Sequence, residues 1–245
     1  MKIALLSDIH ANGDALDAVL REISGRGVDR IYHLGDLVGY NAEPEKCVRW
    51  AMMHTAGGIL GNHDAVACGK TGGETFNAPA RTAARWSGEH LSDGSREYLR
   101  SLPDRLVVEK EILLVHGAPS DTDRYLFTLD DAAEELDGLD GVPDVRVVFF
   151  GHTHVPAAVV RRRDGSTVSV SPGAYRLEEG ERALMNPGSV GQPRDRDPNA
   201  SFLVFDTRLR SASWIRVPYD IPEVQKKIVA AGLPRLFATG LPDGM

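Results

Sequence analysis

Residues Val147–His154, VVFFGHTH, set the architecture expected of this 245-residue chain. The first four residues are apolar, which is typical of a strand that is buried on both faces of a parallel sheet. The apolar run breaks at Gly151 and is followed by His152 and His154. Because residues two apart in an extended segment project to the same side, we expect both imidazoles to reach one site beyond the end of this strand.

The composition and charge are those of a soluble globular protein. Hydrophobic residues make up 42% of the chain and charged residues 26%, and the formal net charge is −7 at pH 7. A protein that coats nucleic acid would be basic overall, so nucleic acid is not expected as a partner. The acidic balance does not exclude a phosphate substrate, because bound metal ions reverse the charge of a site locally.

Two features of the sequence predict the compartment. Cys47 and Cys68 lack the spacing of a metal site and are predicted to be unpaired thiols of a reducing compartment. The apolar run at the N-terminus ends at Ser7, which is too short for a signal peptide, and no later stretch is long enough to span a bilayer. We therefore predict a cytoplasmic protein with no membrane partner.

The N-terminal part of the chain alternates predicted strands with predicted helices. Strands over Lys2–Ser7, Arg30–Leu34 and Gly58–Leu60 are separated by helices that begin near Asn12 and at Pro44. This order is typical of a parallel sheet with crossover helices. Ligands of such sheets bind beyond the carboxyl ends of the strands, so the residues that follow each strand are candidates for a site.

The rest of the chain is expected to add helices and a second set of strands. A helical insertion is predicted over about 69–103. A meander of short strands and a tail are predicted over about 155–245, and the tail from Leu233 is expected either to be disordered or to dock on a partner. Since no linker divides the sequence, residues 1–245 are expected to form a single α/β domain.

Polar clusters follow the predicted strands at five places. They are Asp8-Ile9-His10, Gly35-Asp36, Gly61-Asn62-His63-Asp64, His116-Gly117 and Gly151-His152-Thr153-His154. Five of the eight histidines of the chain lie in these clusters. Imidazole, carboxylate and amide oxygen together suit Mn, Fe, Co, Ni or Zn better than Mg or Ca. The clusters offer more ligands than one ion takes, which favours two ions that share a bridging carboxylate. Taken singly, Asp8 or Asp36 could equally be a helix cap.

The ordered set D-x-H, G-D, G-N-H-D, H-G and G-H-T-H resembles the calcineurin-like metallophosphoesterase superfamily, specifically its small bacterial and archaeal phosphodiesterase members. The motifs run from Asp8 to His154, and the loop Asn186–Ser189 extends the likeness to about Arg194. One motif alone would be weak evidence, whereas all five in order, each after an apolar strand, are specific. The resemblance implies a four-layer αββα sandwich in which two central mixed sheets are flanked by helices.

The resemblance also implies a centre of two divalent transition-metal ions, with manganese as the first expectation and iron, nickel, cobalt or zinc as the others. The implied ligands are Asp8, His10 and His154 for one ion, Asn62, His116 and His152 for the other, and Asp36 as the bridge. A hydroxide between the ions would attack phosphorus, and His63 would be the general acid for the leaving oxygen. A structural hydrogen bond near the metals is the alternative role for His63.

Two further residues are candidates for substrate binding. Arg194 could contact phosphate through its planar guanidinium, although a simple surface charge explains it equally well. Asn12 is expected to lie near the cleft.

One departure from the superfamily bears on the substrate. Its protein serine/threonine phosphatases follow Gly-Asp with x-x-Asp-Arg, which supplies a partner for the catalytic histidine and a phosphate-binding arginine. This chain continues Gly35-Asp36-Leu37-Val38-Gly39-Tyr40 and lacks both. The sequence therefore favours a phosphodiesterase that acts on a small or nucleotide-type diester. A dinucleotide polyphosphatase, a phosphomonoesterase and a non-catalytic scaffold of the same fold are the alternatives, and a homo-oligomer is left open.

Overall fold

Two six-stranded sheets form the centre of the molecule. The structure is a computed structural model that describes residues 1–139 and 144–245. The strands are β1 (Lys2–Leu6), β2 (Arg30–His33), β3 (Gly57–Gly58), β4 (Arg105–Val108), β5 (Ile112–Val115), β6 (Val147–Phe149), β7 (Ala157–Arg161), β8 (Thr167–Val170), β9 (Ala174–Arg176), β10 (Arg182–Asn186), β11 (Ala200–Asp206) and β12 (Ser211–Val217). The helices are α1 (Gly13–Ser24), α2 (Pro44–His54), α3 (Asn62–Ala67), α4 (Ala78–Glu89), α5 (Asp93–Ser101), α6 (Leu129–Gly138), α7 (Ile221–Ala230) and α8 (Arg235–Gly240).

Each sheet combines parallel strands with antiparallel ones. The first sheet has the order β3-β2-β1-β11-β12-β9, in which β1, β2 and β3 are parallel and β11 runs against β1. The second has the order β4-β5-β6-β10-β7-β8, in which β5, β6 and β10 are parallel. Both sheets are therefore mixed, as predicted. The carboxyl ends of β1 and β2 in one sheet, and of β5 and β6 in the other, carry the loops of the candidate site.

Alternating side chains of β1 show how the layers are held. Ile3 and Leu5 belong to the cluster between the sheets, together with Phe149 of β6 and Phe205 of β11. Ala4 and Leu6 point the other way, into the cluster under α1 and α2, as the two-residue period of a strand requires. A third cluster packs α6 against the outer face of the second sheet. The order helix, sheet, sheet, helix confirms the predicted αββα sandwich.

The C-terminal part of the chain differs from the predicted meander. β7 and β8 pair within the second sheet, whereas β11 and β12 pair within the first, so the strands after His154 are shared between the two sheets. β10 was not predicted, because the sequence places it at the start of a loop dense in turn formers. It inserts between β6 and β7, and its central residues Ala183, Leu184 and Met185 are fully buried.

The tail from Leu233 is ordered within the chain, so the prediction of disorder is wrong, whereas docking on a partner stays a prediction. The tail forms α8 and a 3₁₀ turn, Leu241–Asp243, and buries Phe237 against the rest of the chain. The amide of Arg196 donates to the Gly244 carbonyl at 3.1 Å, which ties the end of the chain to the loop after β10. Apolar side chains at helical spacing in this short stretch outweigh its proline and glycine content.

Two smaller expectations can be compared with the structure. The predicted strand over Gly58–Leu60 is reduced to Gly57–Gly58, since the amide of Leu60 bonds outside the sheet to the Pro103 carbonyl. Both cysteines are buried free thiols, as predicted. Among the helices in the described residues, none has the length and apolar character needed to cross a membrane.

Phe149 is the residue on which we expect the packing of the two sheets to depend most. Its side chain is fully buried and meets Phe205 edge to face, with ring centroids 5.4 Å apart. We predict that Phe149→Ala lowers the free energy of unfolding by about 3–5 kcal/mol, because it removes apolar contacts and leaves a cavity. Urea titration followed by circular dichroism measures this. Val107→Ala is the control, because Val107 is 55% exposed on β4, and a loss as large as that of Phe149→Ala would contradict the account.

Candidate metal centre

The five polar clusters of the sequence meet at one edge of the sandwich. Asp8 and His10 follow β1, Asp36 follows β2, Asn62 and His63 open α3, His116 follows β5, and His152 and His154 follow β6. Their ligand atoms form three compact groups: Asp8, His10 and His154; His10, Asp36 and His63; and Asp36, His116 and His152. Within each group all ligand atoms lie within 4.8 Å of one another. His10 belongs to the first and second groups and Asp36 to the second and third, so the three groups are contiguous.

The backbone of the site is held in an unusual conformation. Positive φ angles occur at Asp8 (53°), His10 (46°), Asp36 (53°), His152 (67°) and His154 (61°). A left-handed conformation at a residue other than glycine costs about 1–3 kcal/mol and persists only where the surrounding structure enforces it. Such residues cluster at functional sites, and their coincidence with the polar clusters marks this edge as one.

The same conformation corrects an expectation about the two histidines after β6. We predicted that both would project to the same side, as in an extended strand. Instead His152 lies with Asp36 and His116, whereas His154 lies with Asp8 and His10. Because both residues are left-handed, the chain turns between them and delivers the two imidazoles to neighbouring groups.

Three of the histidines are anchored in the same way. The contacts are His10 Nδ1 to Val38 O at 2.9 Å, His116 Nδ1 to Leu34 O at 2.7 Å and His154 Nδ1 to Gln192 O at 2.6 Å. A carbonyl oxygen can only accept, so each Nδ1 carries the hydrogen. In a neutral ring the opposite nitrogen, Nε2, then presents a lone pair. Backbone anchoring of this kind is what fixes the tautomer of metal-ligating histidines.

The lone pairs of two anchored rings face each other. His10 Nε2 lies 3.1 Å from His154 Nε2, and His154 Nε2 lies 3.4 Å from Asp8 Oδ1. Burial lowers the pKa of both His10 and His154 well below the usual value, so neither ring carries a proton that would relieve the contact. Buried acceptors in contact are costly unless a positive charge lies among them. This group therefore fits a cation.

The group of Asp36, His116 and His152 has the same need for positive charge. His116 Nε2 lies 3.4 Å from Asp36 Oδ2 and 3.2 Å from Asn62 Oδ1. Burial acts to lower the pKa of His116, but the charge and hydrogen bond of Asp36 outweigh it and raise the pKa to about 10. The field that would hold a proton there also attracts a metal ion. His152 Nε2 is buried and has no hydrogen-bond partner within the described part of the chain.

His63 belongs to the remaining group, with His10 and Asp36. Its ring is packed among Tyr40, Phe76 and His10, with centroid distances of 4.5, 4.6 and 4.8 Å. Burial lowers the pKa of His63 to about 4, so the ring is neutral near pH 7. Its amide donates to Asp36 Oδ1 at 2.9 Å, which fixes the backbone rather than the ring. The sequence did not indicate Phe76, because no motif marks the segment that precedes α4.

Asp64 has a role that the sequence did not reveal. Its buried carboxylate accepts from Val38 N at 3.2 Å and from Gly61 N at 3.3 Å, so it ties the loop after β2 to the start of α3. A side chain at Gly61 would place a Cβ 2.2 Å from Asp36 N, which explains why only glycine fits there. These contacts fix the positions of Asp36 and Asn62 relative to each other.

The two candidate substrate residues differ in position. Arg194 is exposed at the rim of the site, and its Nη2 donates to the Tyr40 hydroxyl at 3.0 Å. Asn12 is buried and caps α1, where Oδ1 accepts from Ala15 N at 3.1 Å and Nδ2 donates to Gly191 O at 3.0 Å. Because both ends of its amide are engaged within the protein, the structure gives Asn12 a structural role.

Three cavities adjoin one another at the candidate metal centre. A cavity of about 260 Å³ is lined by Asn62, His63 and His152. It shares Asn62 with a neighbouring cavity of about 310 Å³ and Tyr125 with another of about 890 Å³. Space for a ligand therefore continues from the centre into both neighbouring cavities.

Residues 1–210 match the family model of the calcineurin-like phosphoesterase superfamily domain. The chain is 34% identical over 237 residues to an uncharacterized protein from Methanocaldococcus jannaschii. The aligned region covers 95% of this chain and 93% of that protein.

Solved structures show the same relationship. A metallophosphoesterase from Sphaerobacter thermophilus is 35% identical, with a TM-score of 0.85 over 100% of this chain and 99% of that one. A hypothetical protein from Pyrococcus horikoshii OT3 shares the fold, with 21% identity and a TM-score of 0.79. The match covers 100% of this chain and 98% of that one. The match to the family model, together with relatives at 34% and 35% identity, shows that the chain belongs to the calcineurin-like phosphoesterase superfamily.

Proposed function

We propose that the protein is a dimetal phosphodiesterase that hydrolyses a small or nucleotide-type phosphodiester. The observation that carries the proposal is the contact between the Nε2 atoms of His10 and His154, at 3.1 Å, in two neutral and carbonyl-anchored rings. A cation bound between the two Nε2 atoms would satisfy both lone pairs. Membership of the superfamily indicates phosphoester hydrolysis as the class of reaction.

The residues that would hold the metals are those of the first and third groups, with Asn62 beside His116. One ion would be held by Asp8, His10 and His154, the other by Asn62, His116 and His152, and Asp36 would contact both. When bound, two such ions lower the pKa of a water molecule between them and neutralise charge on the phosphoryl oxygens. The mixture of imidazole, carboxylate and amide donors suits manganese, with iron, cobalt, nickel and zinc as alternatives.

His63 would supply the proton that the leaving oxygen needs. It lines the cavity above the centre and is positioned by the rings of Tyr40 and Phe76. In the protein alone the pKa of His63 is about 4, because burial disfavours the charged ring. An anionic phosphate bound beside it would favour the charged form and raise that pKa, so the proton would be acquired as substrate binds.

The cavities around the centre support a diester rather than a monoester. Two cavities adjoin the one above the centre, which leaves space for both ester groups of a diester. The loop Gly35–Tyr40 contains no arginine that would bind the extra charge of a monoester.

Metal retention tests the ligand set. We predict that the wild-type protein retains about two divalent ions per chain after manganese loading and removal of free metal. Asp36→Ala and His152→Ala should lose that retention and all hydrolysis, because each removes a donor from a buried group. Inductively coupled plasma mass spectrometry measures the ions. His54→Ala removes an exposed histidine from the end of α2 and should change neither. If the wild-type protein retained no metal, that result would favour the alternative of a non-catalytic scaffold.

The preference for a diester can be measured directly. We predict that the manganese-loaded protein cleaves bis-p-nitrophenyl phosphate with a higher kcat/KM than p-nitrophenyl phosphate, and that chelation abolishes both activities. Release of p-nitrophenolate gives the rates. Faster cleavage of the monoester would restore the phosphomonoesterase alternative.

The role of His63 depends on the leaving group. We predict that His63→Gln lowers kcat about 10²–10⁴-fold for diphenyl phosphate, whose leaving oxygen is basic. The loss should be much smaller for bis-p-nitrophenyl phosphate, because p-nitrophenolate leaves without a proton. His90→Gln makes the same change at an exposed histidine and should leave both rates unaltered. Equal losses on the two esters would assign His63 a structural role instead.

A further inference from the structure

The ring of His63 is oriented by packing rather than by a hydrogen bond. Its Nδ1 atom is buried and has no hydrogen-bond partner among the residues that the structure describes. That atom lies against the backbone of Gly39, where an added Cβ would be only 2.4 Å from it. Catalytic histidines are commonly oriented by a third group that bonds to the second ring nitrogen. In this protein the orientation must come from the neighbouring side chains.

Two aromatic rings supply that orientation. The Tyr40 ring lies 4.5 Å from the His63 ring with 62° between the planes, and the Phe76 ring lies 4.6 Å away with 43° between the planes. Edge-to-face and tilted contacts favour particular ring geometries, so rotation of the His63 ring is opposed. Each wall can do this only if it is itself held in place.

Tyr40 is held by the C-terminal segment. Phe237 of α8 packs on the Tyr40 ring with centroids 4.6 Å apart, and Arg194 donates to the Tyr40 hydroxyl at 3.0 Å. Tyr40 and Phe237 are both buried, and Tyr40 has a left-handed backbone with a φ of 61°. Such a backbone persists only where the surrounding structure enforces it. Two ring contacts in series therefore connect Phe237 to His63.

A single apolar cluster supports both walls of His63. It contains Tyr40 and Phe237, together with side chains of α4 and α7, and Phe76 packs against it. Lys227 of α7 donates to Asp14 at 2.7 Å and to Glu43 at 2.9 Å, which fixes the C-terminal helices to the rest of the sandwich. Residues 211–245 lie outside the match to the family model, so this support is separate from the part of the chain that carries the metal ligands.

We propose that Phe237 is a positioning residue for His63 and acts through the ring of Tyr40. This inference rests on the proposed function, because the orientation of His63 matters only if His63 donates a proton. Tyr40 and Phe237 both line the cavity of about 890 Å³. Without the Phe237 ring, Tyr40 could turn toward that space, and His63 would lose one of its walls. The C-terminal segment would thus serve proton transfer without contacting the reacting atoms.

The two diesters that differ in their leaving group test this role. We expect Phe237→Ala to lower kcat for diphenyl phosphate about tenfold or more in the manganese-loaded protein, and to lower it much less for bis-p-nitrophenyl phosphate. A misplaced proton donor matters only where the leaving oxygen needs the proton. Phe237→Tyr keeps the ring and should retain both rates. Phe237→Leu perturbs the fold less than Phe237→Ala and should show a smaller loss in the same direction.

A double-mutant cycle separates positioning from general loss of packing. In the His63→Gln background, Phe237→Ala should cause no further loss on diphenyl phosphate, because no acid remains to be positioned. Phe205→Ala is the matched control. It removes a buried phenylalanine that pairs with Ile3 at the start of β1, at the opposite end of the strand from Asp8, and should leave the ratio of the two rates unchanged.

The orientation of the ring can be observed without an assay. In zinc-loaded protein with ¹³C at the histidine Cε1 atoms, the His63 signal is the one absent from His63→Gln. We expect Phe237→Ala to broaden or divide this signal, because the ring gains a second orientation, whereas the signal of the buried His33 should stay single.

The outcomes distinguish this inference from the proposed function. If His63→Gln lost activity selectively but Phe237→Ala lost both esters equally, or left the His63 signal unchanged, the positioning role would be overturned and the acid would stand. A further loss from Phe237→Ala in the His63→Gln background would overturn it as well. If His63→Gln itself lost both esters equally, the proposed role of His63 would fail, and the role of Phe237 would fail with it.

Discussion

The account depends on one contact, the approach of His10 Nε2 to His154 Nε2 at 3.1 Å. Each ring is fixed from behind, because Nδ1 donates to a backbone carbonyl of Val38 or Gln192. Neither ring can turn away without losing that bond, and burial keeps both neutral. The fold thus holds two lone pairs together in the interior, where such an arrangement is stable only with a cation. This group of buried donors is therefore suited to a cation.

The sandwich makes that contact possible by bringing together loops from both sheets. His10 follows a strand of the first sheet and His154 follows a strand of the second, and the amide of His152 donates to Asp8 at 3.2 Å across the junction. The left-handed backbone conformation of five site residues destabilises the folded chain locally. The buried apolar layer between the sheets, with Phe149 at its centre, offsets that cost, because it fixes the strand ends from which the loops leave.

Much of this arrangement could be predicted from the sequence. Apolar strands that end in polar clusters indicate where the chain leaves a parallel sheet, and the order of the clusters resembles one superfamily. The division of His152 and His154 between two groups is implied by the resemblance but not by the spacing of the two residues, because it follows from left-handed backbone angles that sequence spacing does not reveal. The packing of Tyr40 against His63 and Phe237 could not be predicted either, because these residues come from distant parts of the chain and only the docking of α8 brings Phe237 to the site.

The most direct test of the central claim is anomalous diffraction from crystals of the manganese-loaded protein. The account predicts one anomalous peak between His10 Nε2 and His154 Nε2, within coordination distance of Asp8. It predicts a second peak beside His116 and His152, with Asp36 in contact with both. Manganese bound elsewhere, with the two Nε2 atoms still in direct contact, would show that a proton rather than a metal ion satisfies the pair, and would contradict the account.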